Sequence, residues 1–330
     1  MQNKTIHLTK IFLLMTAFFV VAVLIFLLYG TRFYNWRNIS SIMFQMGEFG
    51  FLAMAMAIAM LTGGIDLSVV SNMNLAGILA AFVLTNEALL AGASTTTVIL
   101  LAVGVALLSG FLGGVFNGLI IAKIGVHSIL TTIGTMMLFA GIGMIVTGGR
   151  GVVGFPQEFA FVGNGKLFGV PFPFIVMVLA FLIVGFLLTR SRWGRSLYLF
   201  GSNPVASRFS GINNAWTVIV TYALGGFLTG ISALIMISRT NSARVGYGES
   251  YLLQAIVVSV MGTMDPYGGS GKFSGIFISV VLLQMLSSAF TRLGITPFAR
   301  GLVYGTILLL IIIAYESYAG RKITLGKKGA

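Results

Sequence analysis

Apolar residues fall along this chain in long runs, separated by short polar or glycine-rich breaks. The runs cover about 11–29, 41–61, 67–85, 97–121, 128–147, 172–189, 216–237, 252–264, 273–290 and 298–315. A membrane-crossing helix needs about 20 mainly apolar residues, so the pattern predicts an all-α polytopic membrane protein of about ten transmembrane helices. Within 41–61, Ala53, Ala55, Ala57 and Ala59 alternate with Met54, Met56, Ile58 and Met60. Such alternation suits a strand, but the length of the flanking apolar run favours a helix. The break that matters most is Leu61-Thr62-Gly63-Gly64-Ile65-Asp66-Leu67-Ser68. A carboxylate at a membrane helix centre costs about 2.5–3.5 kcal/mol. The cheaper expectation is that Gly63 and Gly64 end one helix and Asp66 caps the next from the water interface.

Two loops exceed a tight turn, at about 148–171 and 190–215. With the N-terminus inside, twelve basic residues fall on the cytoplasmic side, Lys123, Arg190, Arg192, Arg195, Arg208 and Lys272 among them. Eight, including Arg150, Lys166, Arg239 and Arg244, fall outside. The excess predicts an N-in, C-in topology, with 148–171 external and 190–215 cytoplasmic. No linker or shift in composition divides the chain, so 1–330 is expected to form a single domain. The start of the chain superficially resembles a signal peptide, but small-residue cleavage positions are missing before Thr31, and an uncleaved first span is expected.

Small residues recur at helix-packing spacing. Gly110, Gly114 and Gly118 share one helix face, and Gly226/Gly230 and Gly271/Gly275 repeat the interval. Such stripes let backbones approach closely. A short echo links Gly125-Val126-His127-Ser128, with Gly134-Thr135, to Gly294-Ile295-Thr296-Pro297, with Gly305-Thr306. The helices that follow would run in opposite directions, as in inverted repeats of transporters.

Composition narrows the function. Hydrophobic residues make up 57% of the chain and charged residues 8%, with mean hydropathy +1.01. That is too little charge to cover a water-facing domain. The net charge of +13 comes from inter-span basic residues and scarce acids, without the aromatic-interleaved basic tracts that bind strands, so nucleic acid is not expected as a partner. The absence of cysteine excludes disulfides and thiolate chemistry. His7 and His127 stand far apart without nearby carboxylates, so no metal site and no catalytic site are expected; His127 reads as an interfacial or helix-start residue. Gly268-Gly269-Ser270-Gly271-Lys272 imitates a phosphate loop, but Pro266 occupies the first glycine position and Phe273 that of the hydroxyl residue. ATP is therefore not expected to bind there. Glu48, inside an apolar span, suits an outer-interface or a path-lining position.

Several motifs together resemble the membrane subunit of bacterial ABC importers of the ribose/xylose/galactose class. Gly63-Gly64-Ile65-Asp66-Leu67-Ser68-Val69 is close to that family's GGIDLSVGS, with Val70 in place of its glycine. Asn117-Gly118-Leu119-Ile120-Ile121-Ala122-Lys123-Ile124-Gly125-Val126, Trp193-Gly194-Arg195 and Gly201-Ser202-Asn203-Pro204-Val205-Ala206 follow in order. The resemblance implies a type II-like ABC importer transmembrane domain in the bacterial inner membrane. It implies three partners: an ATPase subunit carrying ATP and magnesium, a periplasmic or lipid-anchored substrate-binding protein, and a second permease subunit, identical or not. No cofactor is expected on this chain.

In that family the segment beginning at Val205-Ala206-Ser207 reads like EAA-x-x-x-G, the short helix that docks on the ATPase. Asn203, Ala206, Arg208 and Gly211 would then carry the coupling, with Asn203 as N-cap and Pro204 in the first turn. Departures exist: Tyr251-Leu252-Leu253-Gln254 replaces an acidic motif, and Asn72 and Asn74 lie where the family is mostly apolar. Gln45, Asp66, Ser68, Asn72 and Asn74 are the candidate path residues for a pentose- or hexose-like sugar; their polar groups suit a polyol and equally suit capping and helix stitching. Nucleosides, branched-chain amino acids or a furanose-like signal molecule are alternative solutes of the same machinery. An ion-coupled secondary carrier, working through Glu48 or Asp66, is the alternative from another class.

Overall fold

The computed structural model describes residues 30–296 and 299–310, with isolated positions between 16 and 27 and at 313. The expected first span, 11–29, lies mostly outside the described residues, as do His7 and Pro297. Thirteen helices are described: α1 (Trp36–Leu61), α2 (Val69–Leu84), α3 (Glu87–Gly92), α4 (Thr95–Leu119), α5 (Ser128–Thr147), α6 (Ala160–Asn164), α7 (Phe172–Arg190), α8 (Arg192–Ser202), α9 (Pro204–Phe209), α10 (Asn214–Thr240), α11 (Glu249–Met261), α12 (Phe273–Arg292) and α13 (Ala299–Leu310). Six of them are long and apolar enough to cross a membrane, α4 counted with its extension to Ile124. Helices α2, α11 and α13 are apolar but shorter.

The helices begin where short polar side chains satisfy free N–H groups. Asn35 accepts from Asn38, Ser94 from Thr97, Ser191 from Gly194 and Asn213 from Trp216, at 2.9–3.2 Å. Helix α4 widens into a π-helical turn over Ile120–Ile124 and stops at Gly125, whose φ of +81° only glycine adopts cheaply. Gly294 in the sequence echo is also left-handed, at +69°.

Helix α1 occupies the centre. Every residue from Met46 to Leu61 is buried, and 83% of its most apolar window is covered, against 28% for α5 and α7. A helix apolar all round is stable only when surrounded, and α7, α10, α11 and α12 pack against it. The Ala–Met alternation is helical, as the run length predicts.

The glycine stripes mate. A Cβ on Gly110 or Gly114 would strike the backbone of Gly226 or Tyr222, and one on Gly226 or Gly230 would strike Gly110 or Ala106. Helices α4 and α10 thus lie backbone to backbone, the close approach that small residues permit in lipid. At the third pair, Gly275 packs on the backbone of Gly262 and Gly271 on Met264.

The bundle has two ends. One gathers the 62–68 linker, residues 120–128, helices α8 and α9, and the 262–272 loop. The other gathers Asn35, the 148–171 segment and residues 239–247. The long loop at that second end is not featureless: strand β1 (Val152–Val153) pairs antiparallel with β4 (Ser242–Ala243), and β2 (Lys166–Leu167) with β3 (Val170–Pro171). Helix α6 is tied down through Ser238, whose Oγ accepts from Gly163 N–H at 2.8 Å. These two-residue pairs are the departure from a purely helical expectation. They satisfy backbone groups of a loop folded over the bundle.

Candidate functional site

At the first end, α1 stops at Leu61, Gly63 turns left-handed with φ +78°, and α2 starts at Val69. Gly64 packs against the Tyr222 and Ser128 side chains so closely that a Cβ would collide with both. Asp66 does not sit at a water interface, contrary to the sequence expectation; it is 5% exposed. Its Oδ1 accepts from the Ser68 backbone N–H at 2.9 Å and from Ser68 Oγ at 2.6 Å, closing a local turn just before the helix. Ser68 holds the N-cap position instead, without a side-chain capping bond. Asn117 Nδ2 donates to Ser68 Oγ at 2.8 Å, and Thr132 Oγ1 to the Ile65 carbonyl at 3.1 Å. Burial pushes the carboxyl of Asp66, which lies in the linker outside the spanning helices, above its ordinary range, opposed by the two Ser68 hydrogen bonds.

The candidate path residues therefore separate. Asp66 and Ser68 belong to this linker knot. Asn72 is a stitch: its Nδ2 donates to the Gly110 carbonyl at 3.0 Å and to Thr229 Oγ1 at 3.1 Å, joining α2 to α4 and α10. Asn74 is buried, and its side chain makes no hydrogen bond with a described residue. Gln45 lies elsewhere, on the wall of a polar cavity of about 280 Å³ between α1, α11, α12 and α13. Gln254, Gln284, Ser287, Arg300 and Tyr304 share that wall. Among the described residues, no Asp or Glu lines it. Amides, hydroxyls and one guanidinium can hydrogen-bond a neutral hydroxylated solute from several sides. Apart from Gln45, these positions escaped the sequence reading as a site, because they come from three helices distant from Gln45 in the chain. Gln254 was visible only as a departure from a family motif.

Beside the cavity, Glu48 is buried within the bundle and does not line the cavity wall. It is 5% exposed, paired with Arg239 at 2.6 Å, and accepts from the Tyr251 hydroxyl at 2.8 Å. The Arg239 guanidinium also stands 5.8 Å from the Phe44 ring. Tyr251 also belongs to the cavity wall, so the ion pair and the cavity adjoin. Among the described residues, no three His, Asp or Glu side chains are grouped to hold a metal. His127 is exposed, at the start of α5.

Helix α9 projects from the first end. Asn203 Oδ1 accepts from the N–H groups of Val205 and Ala206 at 3.0 and 2.9 Å. Gly211 ends the turn at φ +78°, with its N–H on the Arg208 carbonyl and that of Ile212 on Ser207. No atom lies near a Cβ built on Gly211, so glycine is needed there for its backbone conformation rather than for space. Asn214 holds α9 from below, donating from Nδ2 to the Pro204 carbonyl at 2.8 Å and accepting from Ser207 Oγ. Ala206 and Arg208 are exposed, and Val205 and Phe209 stand out at 65% and 90% exposure. Helix α8 links this projection to the linker knot: Tyr198 OH donates to the Gly271 carbonyl at 3.1 Å, Ser202 Oγ to that of Gly269 at 3.2 Å, and Gly269 N–H to that of Leu61 at 2.9 Å.

Comparison with known proteins gives a consistent result. Residues 38–312 match the family model described as branched-chain amino acid transport system / permease component. The ribose import permease protein RbsC of Haemophilus influenzae is 32% identical over 307 residues, covering 92% of each chain. The autoinducer 2 import system permease protein LsrD of Yersinia pestis (strain Pestoides F) is 31% identical, over 95% of this chain and 91% of its own. The ribose permease of Escherichia coli K12 is 32% identical over 86% of each.

Proposed function

This chain belongs to the permease-component family of branched-chain amino acid transport systems, as a multi-pass inner-membrane protein, and from that premise we propose that it is the translocation subunit of an ATP-driven importer for a pentose- or furanose-like solute. The observation that carries the reading is α9: a short, doubly capped helix offering Phe209 and Val205 to solvent at one end of an apolar bundle. Exposed apolar side chains on a rigid turn suit docking into a soluble subunit. That end is the cytoplasmic one in this reading, which gives N-in, C-in.

ATP and magnesium belong to the docked subunit. Its closure displaces α9, and the hydrogen bonds of α8 to Gly271, Gly269 and, through Gly269, Leu61 carry the movement to the α1–α2 break. There two helices meet without a continuous backbone ladder, so a hinge motion costs little regular structure. The solute arrives from a binding protein at the opposite end. The cavity of Gln45, Gln254 and Gln284 supplies uncharged hydrogen-bonding groups near that route, consistent with a polyol. The relatives named for ribose and autoinducer 2 support that solute class. An ion-coupled carrier needs a carboxylate free to exchange its cation, and Glu48 is held by Arg239 and Tyr251.

Purification from native membranes in mild detergent tests the proposal. Recovery of a stoichiometric nucleotide-binding subunit, lost on Phe209→Asp, is the expected outcome. A chain that purifies alone and transports ribose in vesicles without ATP would overturn it.

A further inference from the structure

A second cavity lies away from the solute route, on the outer face of the bundle. It is a groove of about 1230 Å³ between α7 and α12, floored by the aromatic cluster of Phe181, Phe273 and Phe277, with ring centroids 5.3 and 5.4 Å apart. Its walls, including Leu182 and Phe186, each 65% exposed, are almost wholly apolar. The volume exceeds the roughly 300–1,000 Å³ of pockets for drug-sized ligands. Polarity is confined to the end beside α8, where Arg195 and Lys272 form the rim. Neither side chain makes an ion pair or hydrogen bond with a described residue, and the nearest acid in sequence, Asp265, is engaged with Ser270 and the Tyr267 N–H.

A long apolar trough closed at one end by two uncompensated cations matches the shape and charge of an anionic phospholipid. Basic pockets between membrane helices are known to take such head groups. We propose that this groove binds one anionic phospholipid, its acyl chains along Phe181, Leu182 and Phe277 and its phosphate between Arg195 and Lys272. The lipid would join α8, which leads directly into α9, to the loop preceding α12. It would reinforce the Tyr198–Gly271 hydrogen bond at the point where docking movement enters the bundle. The binding claim is independent of the transported solute and of the ATPase assignment.

The full chain, purified with whatever subunits accompany it, is exchanged into nanodiscs of mixed dioleoyl phosphatidylglycerol and dioleoyl phosphatidylcholine. Lipid retained after detergent washing is quantified by mass spectrometry. Phosphatidylglycerol should be retained in preference to phosphatidylcholine. Each cation near an anionic lipid contributes about fivefold, so Arg195→Gln/Lys272→Gln should lower retention about twenty-five-fold. Arg195→Lys/Lys272→Arg should keep it, showing that loss reflects charge rather than misfolding. Leu182→Trp, which fills the trough and leaves both cations, should also release the lipid. Inorganic phosphate should not displace it. Equal retention by wild type and the double glutamine variant overturns the proposal, as does complete displacement by inorganic phosphate. Loss of subunit association on Leu182→Trp with lipid retention unchanged would assign the trough to a protein neighbour and would equally overturn it.

Discussion

Glu48 and Asp66 are both buried carboxylates, both 5% exposed, and they flank the second half of the same stretch of chain. They are accommodated in opposite ways. Glu48 remains an ion-pair member, held by Arg239 and Tyr251, which lie 191 and 203 residues away. Among the described residues no cation is in hydrogen-bond contact with Asp66; its bonds come from Ser68, two residues on. A long-range pair locks three helices together, because removing either partner strands a charge in an apolar interior. A local turn shapes one linker, which distant helices then fasten at Ser68 and at the Ile65 carbonyl rather than at the carboxylate itself.

Breaking the long-range pair should have the largest effect. Arg239→Met leaves Glu48 buried and unpaired, and should cost about 3–5 kcal/mol, read as a fall in the thermal unfolding midpoint in detergent. Adding Glu48→Gln should restore most of the loss; if the double variant is no better than the single, the pair is not the source of the cost. Tyr251→Phe removes one hydrogen bond to a charged group and should cost about 1.5–3 kcal/mol by the same measurement, while also changing solute affinity because Tyr251 lines the cavity.

At the linker, Ser68→Ala removes the hydroxyl between Asp66 and Asn117 but keeps the backbone N–H bond. A loss of about 1–2 kcal/mol is expected. An equal effect on Ser68→Ala and Arg239→Met would erase the contrast between the two sites.

The smallest effect, and the sharpest discriminator, is pH dependence. Burial raises the Asp66 pKa, so the folded state holds this proton more tightly than the unfolded chain does. The resulting stability is present below the unfolded carboxylate range and is lost as pH rises through the folded pKa. Stability should therefore decline across that window in the wild type, and Asp66→Asn should flatten the decline. An unchanged slope in the variant would assign the dependence to another group.

Local features of these sites were legible in the chain. The stop at Gly63-Gly64, the cap at Asn203 and the small-residue stripes of Gly110, Gly114, Gly226 and Gly230 follow from residue type and spacing over a few positions. What failed was placement. Asp66 was expected at a water interface and is 5% exposed, in a linker whose Gly64 packs on Tyr222 and Ser128 and whose Ser68 is bonded by Asn117. Asn72 and Asn74, read as path candidates together, part company because they point to different sides of α2, and Asn72 is spent on Gly110 and Thr229. Gln45 belongs to a cavity whose other amides sit more than 200 positions further along the chain.

The chain by itself determined that this is a bundle of apolar helices, where they break, and which faces are small enough for close contact. In lipid each helix satisfies its backbone hydrogen bonds within its own segment, so the signals for starting, stopping and spanning are local and survive in the linear pattern. Tertiary structure alone decided which stripe meets which, that Arg239 neutralises Glu48, and that three scattered glutamines share one wall. Those outcomes depend on how helices distant in sequence settle against the fully buried α1. Helix packing in a medium as apolar as the side chains is selected by shape and by a few hydrogen bonds, which no local periodicity records.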